Sequence, residues 1–437
     1  MHTGTPTLAL CPPAASHTTM PSAEVFPGLQ LAGVPIEFGI FALTLLGVAV
    51  FHHHTLRVAL IGLATLVAWK LGFSAFGHDH QTGLPGLLHH LGAEWVTLAN
   101  LLGLLTGFAI LASAFERSEV PALLPRFLPD DWKGGFVLLV LVFVMSAFLD
   151  NIAAAMIGGT VAAVVYRKRV HIGFLAAIVA ASNAGGAGSV VGDTTTTMMW
   201  IRGASPLDVL HAYVGAVPAL LCFGIIAARQ QHAFQPIQKD ATASAHLDWA
   251  QLGIVGLILA CAIGMNIALN TIMASNWRPD AGDLFPWIGA AVWVAILASV
   301  PLRRPDWTLL PGALKGSIFL LSLVLCASMM PVEKLPAPSW QTTCGLGFVS
   351  AVFDNIPLTA LAIAQGNYDW GMLAYAVGFG GSMIWFGSSA GVALSNTFPE
   401  ARSVGAWLKH GWHVALAYVL GFAALLILGW QPSPLRD

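Results

Sequence analysis

The tripeptide Asp-Asn-Ile occurs twice in this chain of 437 residues, each time in the middle of a strongly apolar run. Asp150 and Asn151 lie within AFLDNIAAAM, and Asp354 and Asn355 lie within VFDNIPLTAL. A carboxylate near the centre of a bilayer costs at least a few kcal/mol, so residues of this kind usually have a function. Carboxylate, amide and hydroxyl oxygens are hard ligands that suit alkali cations better than soft metals. The repetition therefore predicts one cation site to which both motifs contribute.

A glycine-rich segment follows each motif, NAGGAGSVVGDTTTT at 183–197 and GFGGSMIWFGSSAGV at 378–392. Glycine destabilises a helix, and nearby hydroxyls can satisfy the backbone groups that unwinding sets free. We expect two helices interrupted at membrane depth, with the backbone unwound at Gly185, Gly186, Gly192, Gly380, Gly381 and Gly387. The alternative is close helix packing through small residues, which explains the glycines but not an aspartate followed by four threonines.

Polar side chains of the interrupted helices would join those of the two motifs. Three of them are aspartates, and three carboxylates without Lys or Arg repel a di- or tricarboxylate cargo. Burial and like-charged neighbours favour the protonated form of a carboxylate, so a proton competes with a bound cation. The alternative, in which an aspartate only caps a half-helix, is expected at no more than one of the three. The predicted cation- and proton-binding residues are Asp150, Asn151, Asn183, Asp193, Thr194, Thr195, Asp354, Asn355, Ser388 and Ser389, with Na⁺ near the three aspartates.

The composition is that of a membrane protein. Hydrophobic residues make up 57% of the chain and charged residues 9%, against about 25% charged in an ordinary soluble domain. Apolar runs of about 18 to 24 residues recur, which is the length that crosses a hydrocarbon core of about 30 Å. The net charge of −2 indicates no nucleic-acid partner, and five scattered cysteines indicate neither a disulfide framework nor a metal clip. Without a nucleophile–base pair or a nucleotide loop, we expect no enzyme and no cofactor.

The two halves of the chain repeat the same order of predicted elements. Each half has three spans, a re-entrant hairpin with Asp-Asn at its tip, a broken helix and a final span. The run 135–166 divides into two arms of about 14 residues, and each arm rises only about 21 Å. The run 343–366 is interpreted in the same way, with a simple transmembrane helix as the alternative. Since hairpins do not cross the membrane, each half crosses an odd number of times and the second half is inverted.

The predicted fold is an all-α polytopic membrane protein with two inverted repeats. We expect a flexible tail over 1–33, a first repeat over 34–228, a cytoplasmic linker over 229–248 and a second repeat over 249–430. Placing the N-terminus outside puts most Lys and Arg residues on the cytoplasmic side, as the positive-inside rule requires. The tail contains no Lys or Arg, so a cleaved signal peptide is not expected.

Three segments together resemble the NhaD-type Na⁺/H⁺ antiporters of the ion transporter superfamily: 183–200, 146–155 and 350–360. The superfamily also contains citrate, dicarboxylate and arsenite carriers. The resemblance implies a scaffold of outer helices and a transport domain that moves as an elevator, usually in a homodimer in the cytoplasmic membrane. The transported ions would be Na⁺ or Li⁺ and H⁺, and a Na⁺- or H⁺-coupled citrate or dicarboxylate carrier is the alternative. The resemblance implies cation-site roles for Asp150, Asn151, Asp193, Thr194, Asp354 and Asn355.

Histidines form a second set of candidates, in a predicted turn and a predicted outer loop. Two interpretations remain open for them: a weak Zn²⁺ site or pH sensor that changes charge near pH 6.5, or plain solvated loop residues. They are His52, His53, His54, His78, His80, His89 and His90.

Overall fold

The computed structural model describes residues 29–31, 33–51, 54–76, 81–238, 247–274 and 284–435. Most of the expected N-terminal tail and the middle of the expected linker lie outside these residues. So do four of the candidate histidines, His52, His53, His78 and His80.

Helices make up most of the described chain. In the first half they are α1 Ile36–Val50, α2 Thr55–Phe73, α3 Gly83–Arg117, α4 Val120–Leu123, α5 Trp132–Ser146, α6 Asn151–Val165, α7 Ile172–Ala187, α8 Thr194–Ile201, α9 Pro206–Leu210 and α10 Ala212–Phe234. In the second half they are α11 Trp249–Ala274, α12 Trp287–Ser299, α13 Leu310–Ser328, α14 Trp340–Ser350, α15 Asn355–Gln365, α16 Trp370–Gly380, α17 Ser389–Thr397 and α18 Val404–Leu428. Short 3₁₀ turns lie at Leu124–Phe127, Trp307–Leu309, Val332–Lys334, Gly381–Met383 and Pro399–Arg402.

Six helical segments of the described chain are long and apolar enough to cross a membrane. They are Thr55–Phe73, Gly83–Arg117, Pro206–Phe234, Trp249–Leu269, Trp307–Ser328 and Val404–Leu428. Shorter apolar helices, among them α5, α6 and α7, accompany them. The predicted class of a helical, multi-span membrane protein agrees with these lengths.

Two small β-ribbons depart from the all-α expectation. Strand β1 (Gln30–Leu31) pairs with β2 (Val34–Pro35), and β3 (Ala75–Phe76) pairs with β4 (Gln81–Thr82), both antiparallel. Each β-ribbon ends where a helix begins, so these strands lie next to the N-terminal ends of α1 and α3. The helical class is otherwise unchanged.

The third helix begins earlier than its apolar run indicated. We expected a span from residue 94, but α3 begins at Gly83, and the prediction that His89 and His90 lie in a loop is therefore wrong. The ring of His90 is buried, and its Nε2 lies 3.0 Å from Ser328 Oγ. A polar residue with a partner in a neighbouring helix is tolerated inside an apolar helix.

Both predicted breaks at the Asp-Asn motifs are present. The residues Asp150 and Asp354 are N-caps with φ/ψ of −53°/142° and −52°/142°, and their ψ lies far from the helical value of about −42°. Each is the last residue of a four-residue connection after the preceding helix, and the next helix begins directly after it. The alternative of one continuous helix over 343–366 is therefore wrong.

Both glycine-rich segments are also interrupted, at 188–193 and 384–388. Gly192 and Gly387 lie in these breaks, and Gly381 begins a 3₁₀ turn. However, α7 continues as a helix through Gly185 and Gly186. The prediction that this pair unwinds the helix is wrong, and so is the same prediction for Gly380, the last residue of α16.

Close packing explains the helical glycines. A Cβ on Gly185 would lie 2.0 Å from the carbonyl oxygen of Phe143, and one on Gly380 would lie 2.2 Å from that of Gly347. Real Cβ contacts are never this short, so any side chain would push the helices apart. Close helix packing through small residues, the alternative given above, therefore accounts for Gly185 and Gly380.

The core is centred on α7 and α16. Every residue from Gly173 to Ala187 and from Trp370 to Gly380 is buried. The two helices pack against each other and against α10 and α18. The broken helices therefore lie at the centre of the molecule, with the Asp-Asn motifs beside them.

We predict that Gly185→Ala lowers the stability of the folded protein by about 1–3 kcal/mol, the usual cost of an overpacked core. Gly253→Ala is the matched control, since Gly253 is an exposed helical glycine and its Cβ would contact nothing within 4 Å. Thermal unfolding in detergent, followed by size-exclusion chromatography, measures both. Equal melting temperatures for the two variants would contradict the packing argument.

Candidate cation site

The three aspartates begin three different helices. The carboxylates of Asp150, Asp193 and Asp354 each accept a hydrogen bond from the backbone N–H two residues further on, at 3.2, 2.9 and 3.0 Å. Capping as the sole role was expected at no more than one of them, and Asp193 and Asp354 each accept a further side-chain hydrogen bond, from Asn151 and Ser389. A carboxylate has about four lone-pair positions, so a cap leaves it free to make further contacts. The caps also direct three half-helix N-termini towards one region.

A buried amide network joins both halves of the chain. Asn151 donates through Nδ2 to Asp193 Oδ2 at 3.1 Å and to Asn183 Oδ1 at 3.2 Å. Asn183 in turn donates through Nδ2 to the hydroxyl oxygen of Ser382 at 2.9 Å. All four side chains are buried. The first motif, both broken helices and Asp193 are therefore held in one arrangement.

The second motif has different partners. Ser389 donates its hydroxyl to Asp354 Oδ2 at 2.9 Å. Asn355 is 2% exposed, and its Nδ2 has no hydrogen-bond partner among the described residues. When the two glycine-rich segments are aligned from residues 183 and 378, Gly378 stands opposite Asn183 and Ser388 opposite Asp193. In this repeat alignment the acceptors that Asn151 uses are therefore missing from the second half. The backbone repeats, while the side-chain network does not.

Asp150 is the least constrained of the three carboxylates. Both oxygens of Asp193 and both of Asp354 accept hydrogen bonds. Asp150 is partly exposed and accepts no side-chain hydrogen bond within the described chain. The charge of Asp193 interacts with those of Asp150 and Asp354. An ion or proton can therefore reach Asp150 without breaking a side-chain contact.

The threonines divide into two groups. Thr194 is partly exposed at the start of α8, and Thr195 is buried beside Asp193. Thr196 and Thr197 donate their hydroxyls to the carbonyl oxygens of Ser189 and Val190, at 2.6 and 2.9 Å, and both also donate to that of Asp193. They satisfy carbonyls that the break sets free, while Thr194 and Thr195 remain candidate cation ligands.

The electrostatics of this region favour a cation. No Lys or Arg forms an ion pair with the three aspartates in the described part of the chain. Lys70 is buried in α2, but its Nζ donates to the carbonyl oxygen of Met329 in another part of the fold. Among the described residues, no group of three or more His, Cys, Asp or Glu side chains is compact enough to hold a metal ion. A bound alkali ion would thus need amide, hydroxyl and carbonyl oxygens as well as carboxylate.

Two features of the site lie outside the predicted residues. Ser382 links Asn183 to the second half, and Gly378 leaves space beside Asp193, where an added Cβ would lie 3.7 Å from Oδ2. Both positions fall in the second glycine-rich segment. The repeat alignment could have indicated Gly378 as the counterpart of Asn183, but Ser382 pairs with Ala187 and carried no signal.

Comparison with known proteins gives a consistent result. Sodium/proton antiporter 1 of Arabidopsis thaliana is 26% identical in an alignment of length 339 that covers 70% of this chain and 55% of that protein. The Na⁺/H⁺ antiporter NhaD of Vibrio parahaemolyticus is 25% identical in an alignment of length 425 that covers 84% of this chain and 97% of that protein. NhaD of Vibrio cholerae is 26% identical in an alignment of length 345 that covers 67% of this chain and 69% of that protein. No family model matches the chain.

This chain resembles the NhaD-type antiporters over most of its length. The resemblance predicted from three short segments is thereby confirmed. It spans about half the length of the Arabidopsis protein and nearly all of the Vibrio parahaemolyticus NhaD. Together with the six long apolar helices, it identifies a multi-pass membrane protein.

We predict that Ser382→Ala weakens the candidate cation site. The substitution leaves the buried Nδ2 of Asn183 without its acceptor, which costs about 1 kcal/mol or more, so the Na⁺ concentration that half-saturates the candidate site should rise about fivefold. Ser317→Ala is the matched control, because the buried Ser317 hydroxyl donates only to a carbonyl of its own helix, at 2.8 Å. Na⁺ titration of the purified protein measures both variants, and equal Na⁺ affinity would show that Ser382 does not contribute to the candidate site.

Proposed function

We propose that this protein is a secondary active transporter that exchanges Na⁺, or Li⁺, for H⁺ across the membrane. The observation that carries the proposal is the buried network of Asn151, Asn183 and Asp193. It holds carboxylate and amide oxygens among half-helix N-termini, and no ion pair with Lys or Arg is formed there among the described residues. The names of the Arabidopsis and Vibrio relatives support the same activity.

The division of work among the aspartates follows from their contacts. Asp150 is the proposed carrier of the exchangeable proton, because it is partly exposed and makes no side-chain hydrogen bond. When Na⁺ binds the carboxylate oxygens, the acid releases H⁺ and the charge of the site is conserved. Asp193, held on both oxygens, would supply the second carboxylate. Asp354 is tied to Ser389 and would mainly hold the second tip.

The architecture that we propose has two inverted repeats, over 34–228 and 249–430, joined by a cytoplasmic linker over 229–248. Matching N-cap geometry at Asp150 and Asp354 supports equivalent tips, and so do the extended caps at Asp193 and Ser388, with φ of −140° and −142°. The placement of Lys and Arg supports an N-terminus outside the cytoplasmic membrane. Elevator motion and a homodimer are supported by the family resemblance.

The proposed cargo is tested with a pH-sensitive dye in proteoliposomes. Pulses of NaCl or LiCl should dissipate an imposed pH gradient, while citrate should not, because the aspartates repel carboxylates. KCl serves as the control for ionic strength. Accumulation of labelled citrate together with no dye response to Na⁺ would establish an organic-anion carrier instead.

The proposed roles of the aspartates are tested by three amide substitutions. We expect Asp150→Asn and Asp193→Asn each to abolish exchange, since an amide cannot release a proton when Na⁺ arrives. Asp354→Asn should impair exchange less. Asparagine caps a helix as well as aspartate does, and Asp131→Asn, at an exposed cap of α5, controls for capping. Exchange is measured from pH 6 to 9. Full activity of Asp150→Asn would show that a different residue carries the exchangeable proton.

A further inference from the structure

A basic recess lies at one membrane face, away from the cation site. It is lined by the ends of α3, α11 and α12 and by the connection that follows α12. We define the basic recess by Ser113, Arg117, Gln251, Ser299, Arg303 and Arg304. The positive-inside rule assigns this face to the cytoplasm.

The arginines of the basic recess are only partly neutralised. Arg117 pairs with Asp306 at 2.5 Å, and Arg303 pairs with Asp248 at 3.2 Å. The exposed Arg304 has no carboxylate partner in the described ranges. One guanidinium is therefore left to bind an anion at the mouth of the recess.

Tryptophans place the basic recess at the level of the lipid headgroups. Trp249 follows Asp248 and is 73% exposed, and Trp307 follows Asp306 and is 39% exposed. Tryptophan is enriched at the interface between membrane and water. The anions found at that depth are the phosphates of phospholipids. The recess itself has a volume of about 10 Å³, enough for one water, so a phosphate would lie at its mouth against Arg304.

A neighbouring apolar groove can accommodate the rest of a lipid. Ala99, Gly103 and Thr106 line a groove of about 370 Å³ between α3, α12 and α13, on the stripe of α3 that continues to Ser113 and Arg117. The Thr106 hydroxyl and the Trp293 indole N–H both donate to backbone carbonyls. Because the polar groups are already paired, an acyl chain suits this groove.

We propose that the basic recess binds the phosphate of an anionic phospholipid, with Arg304 as its main ligand and the groove holding an acyl chain. A planar guanidinium matches phosphate oxygens in a two-bond geometry, and basic pockets between transmembrane helices on the cytoplasmic side bind lipid headgroups of this kind. The proposal does not depend on which ion is transported.

Native mass spectrometry of the purified, delipidated full chain tests the proposal. The probes are phosphatidylglycerol, phosphatidylcholine and inorganic phosphate. Arg304→Gln should weaken phosphatidylglycerol binding about tenfold, the loss of about one charge-assisted hydrogen bond. Arg57→Gln is the matched control, because Arg57 is also exposed, at the start of α2 on the same proposed face.

The outcomes separate the sources of the anion. Tighter binding of phosphatidylglycerol than of phosphatidylcholine, lost in Arg304→Gln and kept in Arg57→Gln, supports the lipid site. If phosphatidylglycerol binding is weakened equally in both variants, the lipid responds only to the general positive charge of the surface, and the proposal is overturned. Inorganic phosphate that displaces the lipid at equal concentration would show a site for free phosphate and overturn the assignment to lipid.

Discussion

The structure depends on one constraint: a backbone N–H or C=O inside a bilayer must find a partner within the protein. Each interrupted helix leaves such groups without a partner in its own helix. Asp150, Asp193 and Asp354 satisfy the amides of the helices that they begin, and the hydroxyl of Ser388 does the same for the helix that follows it, at 3.3 Å. The residues that make the breaks possible are therefore the same polar residues that form the candidate site.

Close contact between helices holds these breaks in place. The hydroxyls of Ser146 and Ser350 donate to the carbonyl oxygens of Ser182 and Val377, at 2.5 and 2.7 Å. Each bond ties the helix before an Asp-Asn motif to the broken helix of its own half. Both bonds need backbones that approach each other closely, which glycine permits. Contacts with the backbone therefore help to position the Asp-Asn motifs relative to the breaks.

The two halves differ where chemistry is expected. The caps and the glycine contacts recur in both halves, but Asn183 and Asp193 face Gly378 and Ser388 in the alignment. The Nδ2 of Asn151 consequently donates two hydrogen bonds, while the Nδ2 of Asn355 has no partner within the described residues. A site with most of its charge in one half can bind an ion and a proton at one place rather than at two equivalent ones. The repeated backbone supports the architecture, and the unequal side chains would set the selectivity.

The sequence by itself determined the class, the positions of the breaks and most of the polar residues that form the candidate site. Composition and run length predict a membrane protein, because the bilayer requires long apolar helices. Charged residues inside such runs are costly enough to mark functional positions, as at Asp150 and Asp354. These signals are local, so they could be interpreted without a fold.

Only the tertiary structure decided which polar groups meet. At Gly185 the helix α7 continues and packs against the carbonyl oxygen of Phe143 in another helix, and no local pattern distinguishes packing from unwinding. Ser382 joins the network only because α7 and α16 lie together. His90 lies inside α3 and has its partner, Ser328, in a helix far away along the chain. Hydrogen bonds and contacts between segments far apart in the chain follow from the folded arrangement, and spacing along the sequence does not determine them.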